Sequence, residues 1–184
     1  MSRPQSDKGQ VLLGIARAAI ARRFGLWLEA DEQADFLHSP AASFVTLKQE
    51  GRLRGCIGSL EPRRTLLEDV RANAQAAAFQ DPRFTPLAPA ELNRIDIEVS
   101  VLSALSPVRF RDERDAISEL RAGEDGVVLA WRDKRGTFLP QVWESLPEPA
   151  AFLSELKRKA GLAAEFWAED VRLYRYTVDK WSEA

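Results

Sequence analysis

A chain of 184 residues, of which 45% are hydrophobic and 29% charged, is typical of a globular protein and long enough for one compact domain. Its formal net charge of −2 disfavours a dedicated nucleic-acid-binding protein, whose binding face is usually basic. The single cysteine, Cys56, excludes an intramolecular disulfide. Together with the polar segment 1–10 and the lack of an apolar run of about 18 residues, this predicts a cytoplasmic protein with no membrane span.

Soft metal ligands are few, because Cys56 and His38 are the only cysteine and histidine of the chain. A structural zinc site needs several such ligands, so no metal centre, iron–sulfur cluster or other cofactor is expected. The sequence also lacks a GxxxxGK[ST] loop, a GxGxxG turn and a GxSxG elbow. Their absence disfavours a nucleotide-fold enzyme and the common kinds of serine hydrolase.

The first predicted elements are an amphipathic helix and a β-hairpin. Apolar residues recur with a helical period over 10–24, and Gly25 ends the segment. From Ser43 the period changes to two, which predicts strands at 44–48 and 52–59 joined by a turn at 49–51. Strict alternation along the second strand would place Leu53 and Ile57 on one face and Arg52, Arg54 and Cys56 on the other.

A second helix is predicted after the hairpin, because Thr65 and Glu68 have the spacing of a capping box. This helix should end near Phe79, before Asp81-Pro82, and a strand with alternating Ile and Val follows at 94–103. The later predicted elements are a helix at 115–121, strands at 127–131 and 137–140 around a turn at 133–136, a helix at 149–160 and a strand at 171–178.

The order hairpin, helix, strand therefore occurs twice, at 43–103 and at 126–178. Strands and helices mixed in this way predict an α+β fold instead of a doubly wound parallel sheet. We expect a single domain over 1–184 with an N-terminal helix and two lobes, one at about 10–105 and the other at about 106–184.

Several short segments resemble a known family when they are taken together. ASFVTL at 42–47 and LRGCIG at 53–58 are followed in order by DPRF at 81–84, IEVSVL at 97–102, FLPQVW at 138–143 and KAGL at 159–162. This pattern resembles the AMMECR-like family, whose bacterial and archaeal members are called protein A of the AmmeMemoRadiSam system. The resemblance runs from about Val11 to the C-terminus.

The resemblance implies an α+β fold in two lobes with a cleft between them and the LRGCIG segment near that cleft. It also implies association with a Memo-type protein and a radical-SAM protein, because the three domains are known as one system. It implies no established activity. The family therefore predicts the fold and the partners, and leaves the chemistry open.

Cys56 is the first candidate site residue, because Arg54 lies two positions earlier on the same predicted face. A nearby cation favours the thiolate, and Gly55 and Gly58 would leave the adjacent backbone open to a small anionic ligand. As a nucleophile Cys56 would need a base, for which His38 is the only histidine. The alternative is that Cys56 packs as a small apolar residue and that the glycines mark a bulge or close helix packing.

Asp81, Arg83 and Glu98 form a second candidate group for ligand binding. Asp81 either ends the preceding helix or joins the site, and Arg83 either pairs with a carboxylate or points into the site. Glu98 lies in an apolar strand and needs a partner, for which Arg54 is the obvious choice. Such an ion pair would be structural, whereas an unpaired Glu98 would be a candidate general acid.

The segment 138–143 adds Gln141 as a candidate ligand-binding residue, because its amide both donates and accepts hydrogen bonds. Phe138 and Trp143 either line the site or belong to the core. The basic run 157–159 at the end of a helix either faces solvent or contacts phosphate.

Three functional hypotheses stay open. In the first, an accessory subunit binds a partner protein or small molecule around Arg54, Cys56 and Glu98, and works with the Memo-type and radical-SAM proteins. In the second, an enzyme uses the Cys56 thiolate or Glu98 on a small anionic substrate. In the third, scattered arginines and aromatic residues bind RNA or a nucleotide, which the negative net charge disfavours.

Overall fold

The computed structural model describes residues 6–183, and its elements are numbered here in chain order. The α-helices are α1 (Ser6–Arg22), α2 (Leu66–Phe79), α3 (Glu113–Glu119) and α4 (Pro149–Lys159). The strands are β1 (Ala42–Gln49), β2 (Arg52–Gly58), β3 (Ile95–Leu102), β4 (Ser106–Pro107), β5 (Gly126–Trp131), β6 (Lys134–Phe138), β7 (Arg172–Tyr176) and β8 (Val178–Ser182). Short 3-10 helices occur at Asp35–His38, Pro89–Glu91 and Pro140–Glu144.

The first of two compact units holds the described residues up to Leu102 together with those from Asp179 onward. Its sheet has the order β2-β1-β3-β8, and β1 runs antiparallel to both β2 and β3. Alternate residues of β1 and β3 are apolar, so one face of the sheet packs against α1 and α2. Buried residues of this core include Leu12, Ile15, Ile20, Val45, Leu47, Val70, Ile97 and Val99.

Helix α2 begins where the sequence predicts, because Thr65 caps it. The Thr65 hydroxyl accepts a hydrogen bond from the Glu68 amide (3.3 Å), and the Glu68 carboxylate accepts one from the Thr65 amide (3.1 Å). The predicted capping box and the predicted end at Phe79 are confirmed. Small buried residues, Ala74 and Ala77, let the helix lie close to the sheet.

The second unit spans Ser103–Val178 and has its own core. Its sheet has the order β4-β7-β5-β6, and β5 runs antiparallel to β6 and β7. Trp143 stacks on Phe152 with ring centroids 3.7 Å apart, and its indole N–H donates to the Asp125 carbonyl (2.8 Å). Phe138 meets the same Phe152 ring edge-on, so both aromatic residues of the 138–143 segment belong to the core.

The two units share one topology, as the repeated sequence pattern predicts. In the first unit β1 lies between β2 and β3, with α2 between β2 and β3 in the chain; in the second, β5 lies between β6 and β7, with α4 between β6 and β7. The α+β class is confirmed, because helices and antiparallel sheets occur in both units. Within residues 6–183, no helix combines the length and the apolar character required for a membrane crossing.

The hairpin of the second unit turns earlier than predicted. Strands β5 and β6 are joined by Arg132 and Asp133 alone, and Arg132 has a φ of 51°, as tight two-residue turns require. The predicted turn at 133–136 is therefore wrong. Gly136 instead pairs with Leu129 inside the strand, where an added Cβ would lie 3.1 Å from Ala160, so its small size serves packing.

The predicted strand at 171–178 corresponds to β7, and a strand that was not predicted, β8, begins at Val178 and belongs to the other sheet. Strand β7 lies beside β5, whereas β8 lies beside β3 in the other sheet. Residues from Asp179 onward consequently belong to the first unit, although the sequence grouped them with the second lobe. The Glu183 carboxylate holds the end of the chain on the first unit, because it accepts hydrogen bonds from Arg17 (2.6 Å) and from the Ile97 amide (2.8 Å).

The basic run 157–159 is not a uniform solvated face. Lys157 is 1% exposed, and its ammonium group pairs with Glu113 and donates to the Ala164 carbonyl (3.0 Å). Lys159 donates to the Thr137 carbonyl (2.9 Å). These contacts attach α4 to neighbouring segments, so Lys157 and Lys159 stabilise the fold.

Candidate functional site

Strand β2, which carries the LRGCIG segment, is an edge strand with a β-bulge. Leu47 of β1 pairs with Gly55, but Lys48 pairs with Leu53, so Arg54 is the extra residue. Because opposite residues share a face, Leu53 lies on the face of Lys48 and is 43% exposed. The predicted alternation, which placed Leu53 on the face of Ile57, is therefore wrong for the part of the strand that precedes Gly55.

The two glycines of this strand are needed for packing inside the protein. An added Cβ at Gly55 would lie less than 3.0 Å from the Ala77 carbonyl oxygen of α2, and one at Gly58 would be as close to the Phe44 ring. The chain itself therefore occupies the space that the sequence assigned to a ligand beside each glycine. Gly55 sets the distance between sheet and helix, and Gly58 lets Phe44 lie across the neighbouring strand.

The backbone of Cys56 is held at the sheet edge by the segment after α2. Cys56 is directly opposite Thr46, and its amide N–H donates to Asp81 Oδ2 (2.9 Å) on the other side. Its carbonyl accepts a hydrogen bond from Arg83 Nη2 (3.3 Å). Asp81 and Arg83 thus occupy the positions of a further strand and close this part of the edge to strand addition.

Asp81 and Arg83 form a tightly bonded pair. Asp81 Oδ1 accepts from the Arg83 amide (3.1 Å) and Nε (3.0 Å), and Oδ2 accepts from Arg83 Nη2 (2.7 Å). The Asp81 side chain is 2% exposed and that of Arg83 is 54% exposed. The hydrogen bond from Arg83 is the main reason that the pKa of Asp81 lies well below its usual range, so Asp81 is an anion that organises the edge.

The Cys56 thiol lies on the face of the first sheet that is turned away from α1 and α2. This face, called the thiol face below, carries Phe44, Thr46, Lys48, Cys56 and Glu98, which alternate with core residues. Cys56 is half-buried, and its Sγ accepts a hydrogen bond from the Thr46 hydroxyl (3.2 Å). His38, the base that the sequence offered, is exposed on the 3-10 helix Asp35–His38.

The ion pairs around the thiol face differ from the predicted Glu98–Arg54 pair. Arg54 instead donates to Glu91, with Nε at 2.9 Å and Nη2 at 3.1 Å from its carboxylate oxygens. These hydrogen bonds are the main cause of the lowered pKa of Glu91. Glu98 pairs with Lys48 (3.1 Å) and lies 3.7 Å from the ammonium of Lys180 on β8. The bulge explains why the predicted pair is wrong. Cys56, Thr46 and Glu98 are opposite one another on neighbouring strands, and the bulge takes Arg54 out of this register.

A buried polar network between α2 and the first sheet was not predicted from the sequence. Asp69 Oδ2 accepts from the Ser43 amide (2.8 Å) and hydroxyl (2.6 Å), while Oδ1 accepts from the Ser59 hydroxyl (2.7 Å) and Arg64 Nε (2.8 Å). Asn73 donates to the Ser43 carbonyl (3.0 Å). The available signal was the spacing of Asp69 and Asn73, which puts two polar residues on one face of an Ala-rich helix.

Gln141 is the one candidate residue that lies in the second unit. It is exposed on the 3-10 helix Pro140–Glu144 and lines a surface pocket of about 510 Å³. The other pocket residues are Ala122, Gly123, Pro140, Trp143, Glu144 and Pro147. Of the candidate residues, the structure brings Cys56, Asp81 and Arg83 into direct contact, while Arg54 and Glu98 have separate partners.

Comparison with known proteins gives concordant matches over almost the whole chain. The AMMECR1 family model matches residues 13–181. A protein of Methanothermobacter thermautotrophicus is 37% identical over 187 residues, covering 96% of this chain and 95% of that protein. A protein of Thermotoga maritima is 40% identical over 163 residues, covering 86% and 88% respectively.

A solved structure agrees with the fold. The crystal structure of an uncharacterised protein from Pyrococcus horikoshii superposes with a TM-score of 0.78 at 30% sequence identity, covering 96% of this chain and 92% of that chain. The resemblance found in the sequence segments is thereby confirmed, as is the α+β fold. On the extent of these matches, the chain belongs to the AMMECR1 family.

Proposed function

We propose that this protein is a cytoplasmic accessory subunit that binds a partner protein through the thiol face and the adjoining edge of β2. Its partners in this proposal are a Memo-type protein and a radical-SAM protein, which the resemblance to protein A of the AmmeMemoRadiSam system supplies. The protein contributes a fixed docking surface, and the chemistry belongs to the partners.

The observation that carries this proposal is that three groups of Cys56 are held by hydrogen bonds. Its amide, its carbonyl and its thiol are each hydrogen-bonded, to Asp81, Arg83 and Thr46 respectively. A catalytic thiol usually has an adjacent base that removes its proton. Here the thiol accepts a hydrogen bond from a threonine hydroxyl, an arrangement that fits a structural surface residue better than a nucleophile.

The composition of the thiol face also fits a protein interface. A half-buried aromatic ring, Phe44, lies against Gly58 on this face, and Glu98 lies between two ammonium groups, Lys48 and Lys180. Interfaces combine such apolar centres with charged rims that determine orientation. The guanidinium of Arg83, which is half-exposed, adds a cation at the strand edge for a carboxylate of the partner.

A charge reversal on the thiol face is expected to weaken partner binding. With recombinant Memo-type and radical-SAM proteins, Lys48→Glu should weaken the dissociation constant measured by calorimetry by about tenfold or more, since it puts a second carboxylate beside Glu98. The matched control is Lys134→Glu, the same change on β6 of the second unit, which should stay within about twofold of wild type. Absence of binding to both proteins, or equal losses in the two variants, would contradict the proposal.

A second candidate function, a thiol enzyme, is favoured by one observation: the half-exposed Arg83 guanidinium contacts the Cys56 carbonyl. Alkylation by iodoacetamide separates the two functions. If Cys56 is structural, it should react at least about tenfold more slowly in the folded protein than in urea-unfolded protein, because it is half-buried and bonded to Thr46. Faster alkylation in the folded protein, lost in Arg83→Gln, would favour the enzyme.

A further inference from the structure

Two arginines that no part of the proposed function uses line a pocket in the second unit. The pocket has a volume of about 380 Å³ and lies along the pairing of β4 with β7. Pro107 is opposite Tyr174, and the Val108 amide donates to the Leu173 carbonyl (2.9 Å). Continuing this antiparallel register by one residue puts Arg109 opposite Arg172, and both line the pocket.

This arrangement places two like charges opposite each other on adjacent chain segments, which is destabilising unless something offsets their repulsion. Within residues 6–183, neither guanidinium makes an ion pair or a side-chain hydrogen bond. Other arginines of the same unit are paired, Arg111 with Asp115 and Arg121 with Asp125. Arg109 and Arg172 differ from these paired arginines, because neither is ion-paired within the described residues.

The remaining pocket lining does not cancel the positive charge. Glu169 is the one acidic residue of the lining, so two guanidinium groups face one carboxylate and the pocket has an excess of one positive charge. Tyr174, which is half-buried, adds a side chain with a hydroxyl donor and an aromatic wall. The volume is within the range of sites for small molecules.

We propose that this pocket binds the phosphate group of a small organic phosphate. Arginine forks match the oxygen geometry of phosphate, and the excess positive charge of the pocket attracts a group that carries about two negative charges at neutral pH. Glu169 offsets part of the repulsion between Arg109 and Arg172, and the bound phosphate group offsets the rest.

Titration with inorganic pyrophosphate tests the site, with potassium chloride keeping the ionic strength constant. We expect saturable 1:1 binding to wild type by calorimetry, and a dissociation constant at least about tenfold weaker in Arg109→Gln and in Arg172→Gln. The matched control is Arg114→Gln, because Arg114 is an exposed arginine of the same unit that lies outside the pocket. Its affinity for pyrophosphate should stay within about twofold of wild type.

Thermal unfolding distinguishes loss of the site from loss of the fold. Without pyrophosphate at low salt, both pocket variants should unfold at or above the wild-type midpoint, because each substitution removes one of two repelling charges. Pyrophosphate should raise the wild-type midpoint and leave that of the pocket variants unchanged. No saturable binding to wild type, or equal weakening in Arg114→Gln, would overturn the proposal and indicate nonspecific attraction of anions only.

Discussion

Alanine at position 55 is expected to destabilise the protein by about 3 kcal/mol or more, although it adds only one methyl group. The added Cβ would lie less than 3.0 Å from the Ala77 carbonyl oxygen, which belongs to the backbone of α2. A backbone atom cannot move aside as the end of a side chain does, so the sheet and the helix must separate. Urea unfolding followed by circular dichroism measures the decrease in the free energy of unfolding.

Gly14→Ala is the matched control for this substitution. Gly14 lies within α1, and an added Cβ there meets no atom within 4 Å. Alanine in a helix interior restricts the unfolded chain more than glycine does, so this variant should gain about 0.5–1 kcal/mol. A Gly55→Ala protein as stable as wild type would show that Gly55 does not set the distance between the sheet and α2.

Asp81→Ala is also expected to have a large effect, lowering the free energy of unfolding by about 3 kcal/mol. It leaves the Cys56 amide without its acceptor at the sheet edge and frees the Arg83 guanidinium from its buried partner. As a control, Asp179→Ala removes an exposed carboxylate from β8 and should change the unfolding free energy by less than about 0.5 kcal/mol. Equal losses for the two variants would mean that the edge attachment contributes no measurable stability.

The contribution of Asp81 should also depend on pH in a defined direction. Its pKa is lowered in the folded protein, chiefly by the hydrogen bond from Arg83, whereas an unfolded Asp has a pKa of about 3.9. The unfolded state therefore binds the extra proton first, and the stabilisation is complete above about pH 5 and declines as the pH falls below 4. The difference between wild type and Asp81→Ala should shrink from pH 6 to pH 3 in urea titrations; a constant difference would contradict this assignment.

Helix ends and the buried face of a strand depend on residues that are close together in the chain, and these features were predictable from the sequence. The α2 start follows from Thr65 and Glu68, which are three positions apart, and the α4 end follows from Gly161, whose φ is +87°. The alternation of apolar residues in β3 likewise identified its buried face, with Ile97 and Val99 fully buried. Such signals are local because caps, turns and side-chain periods involve residues within one or two turns of the chain.

The candidate site was predicted only in part, for a different physical reason. The sequence selected Cys56, Asp81 and Arg83, which do lie together, but it paired Arg54 with Glu98. Periodicity assumes an unbroken ladder, and the bulge at Arg54 breaks it without changing the apolar pattern. The actual partner, Glu91, lies 37 positions away on the short 3-10 helix Pro89–Glu91, whose position only the packed chain defines.

The sequence by itself determined the α+β class, the repeated hairpin, helix and strand, and the thiol-bearing strand, because composition, period and caps are properties of short segments. Only the tertiary structure decided that β8 joins the first sheet, that Asp81 and Arg83 close the edge of β2, and that Arg109 lies opposite Arg172. These features depend on pairing between distant segments. Such pairing is selected by the packing of the whole unit, which no local pattern encodes.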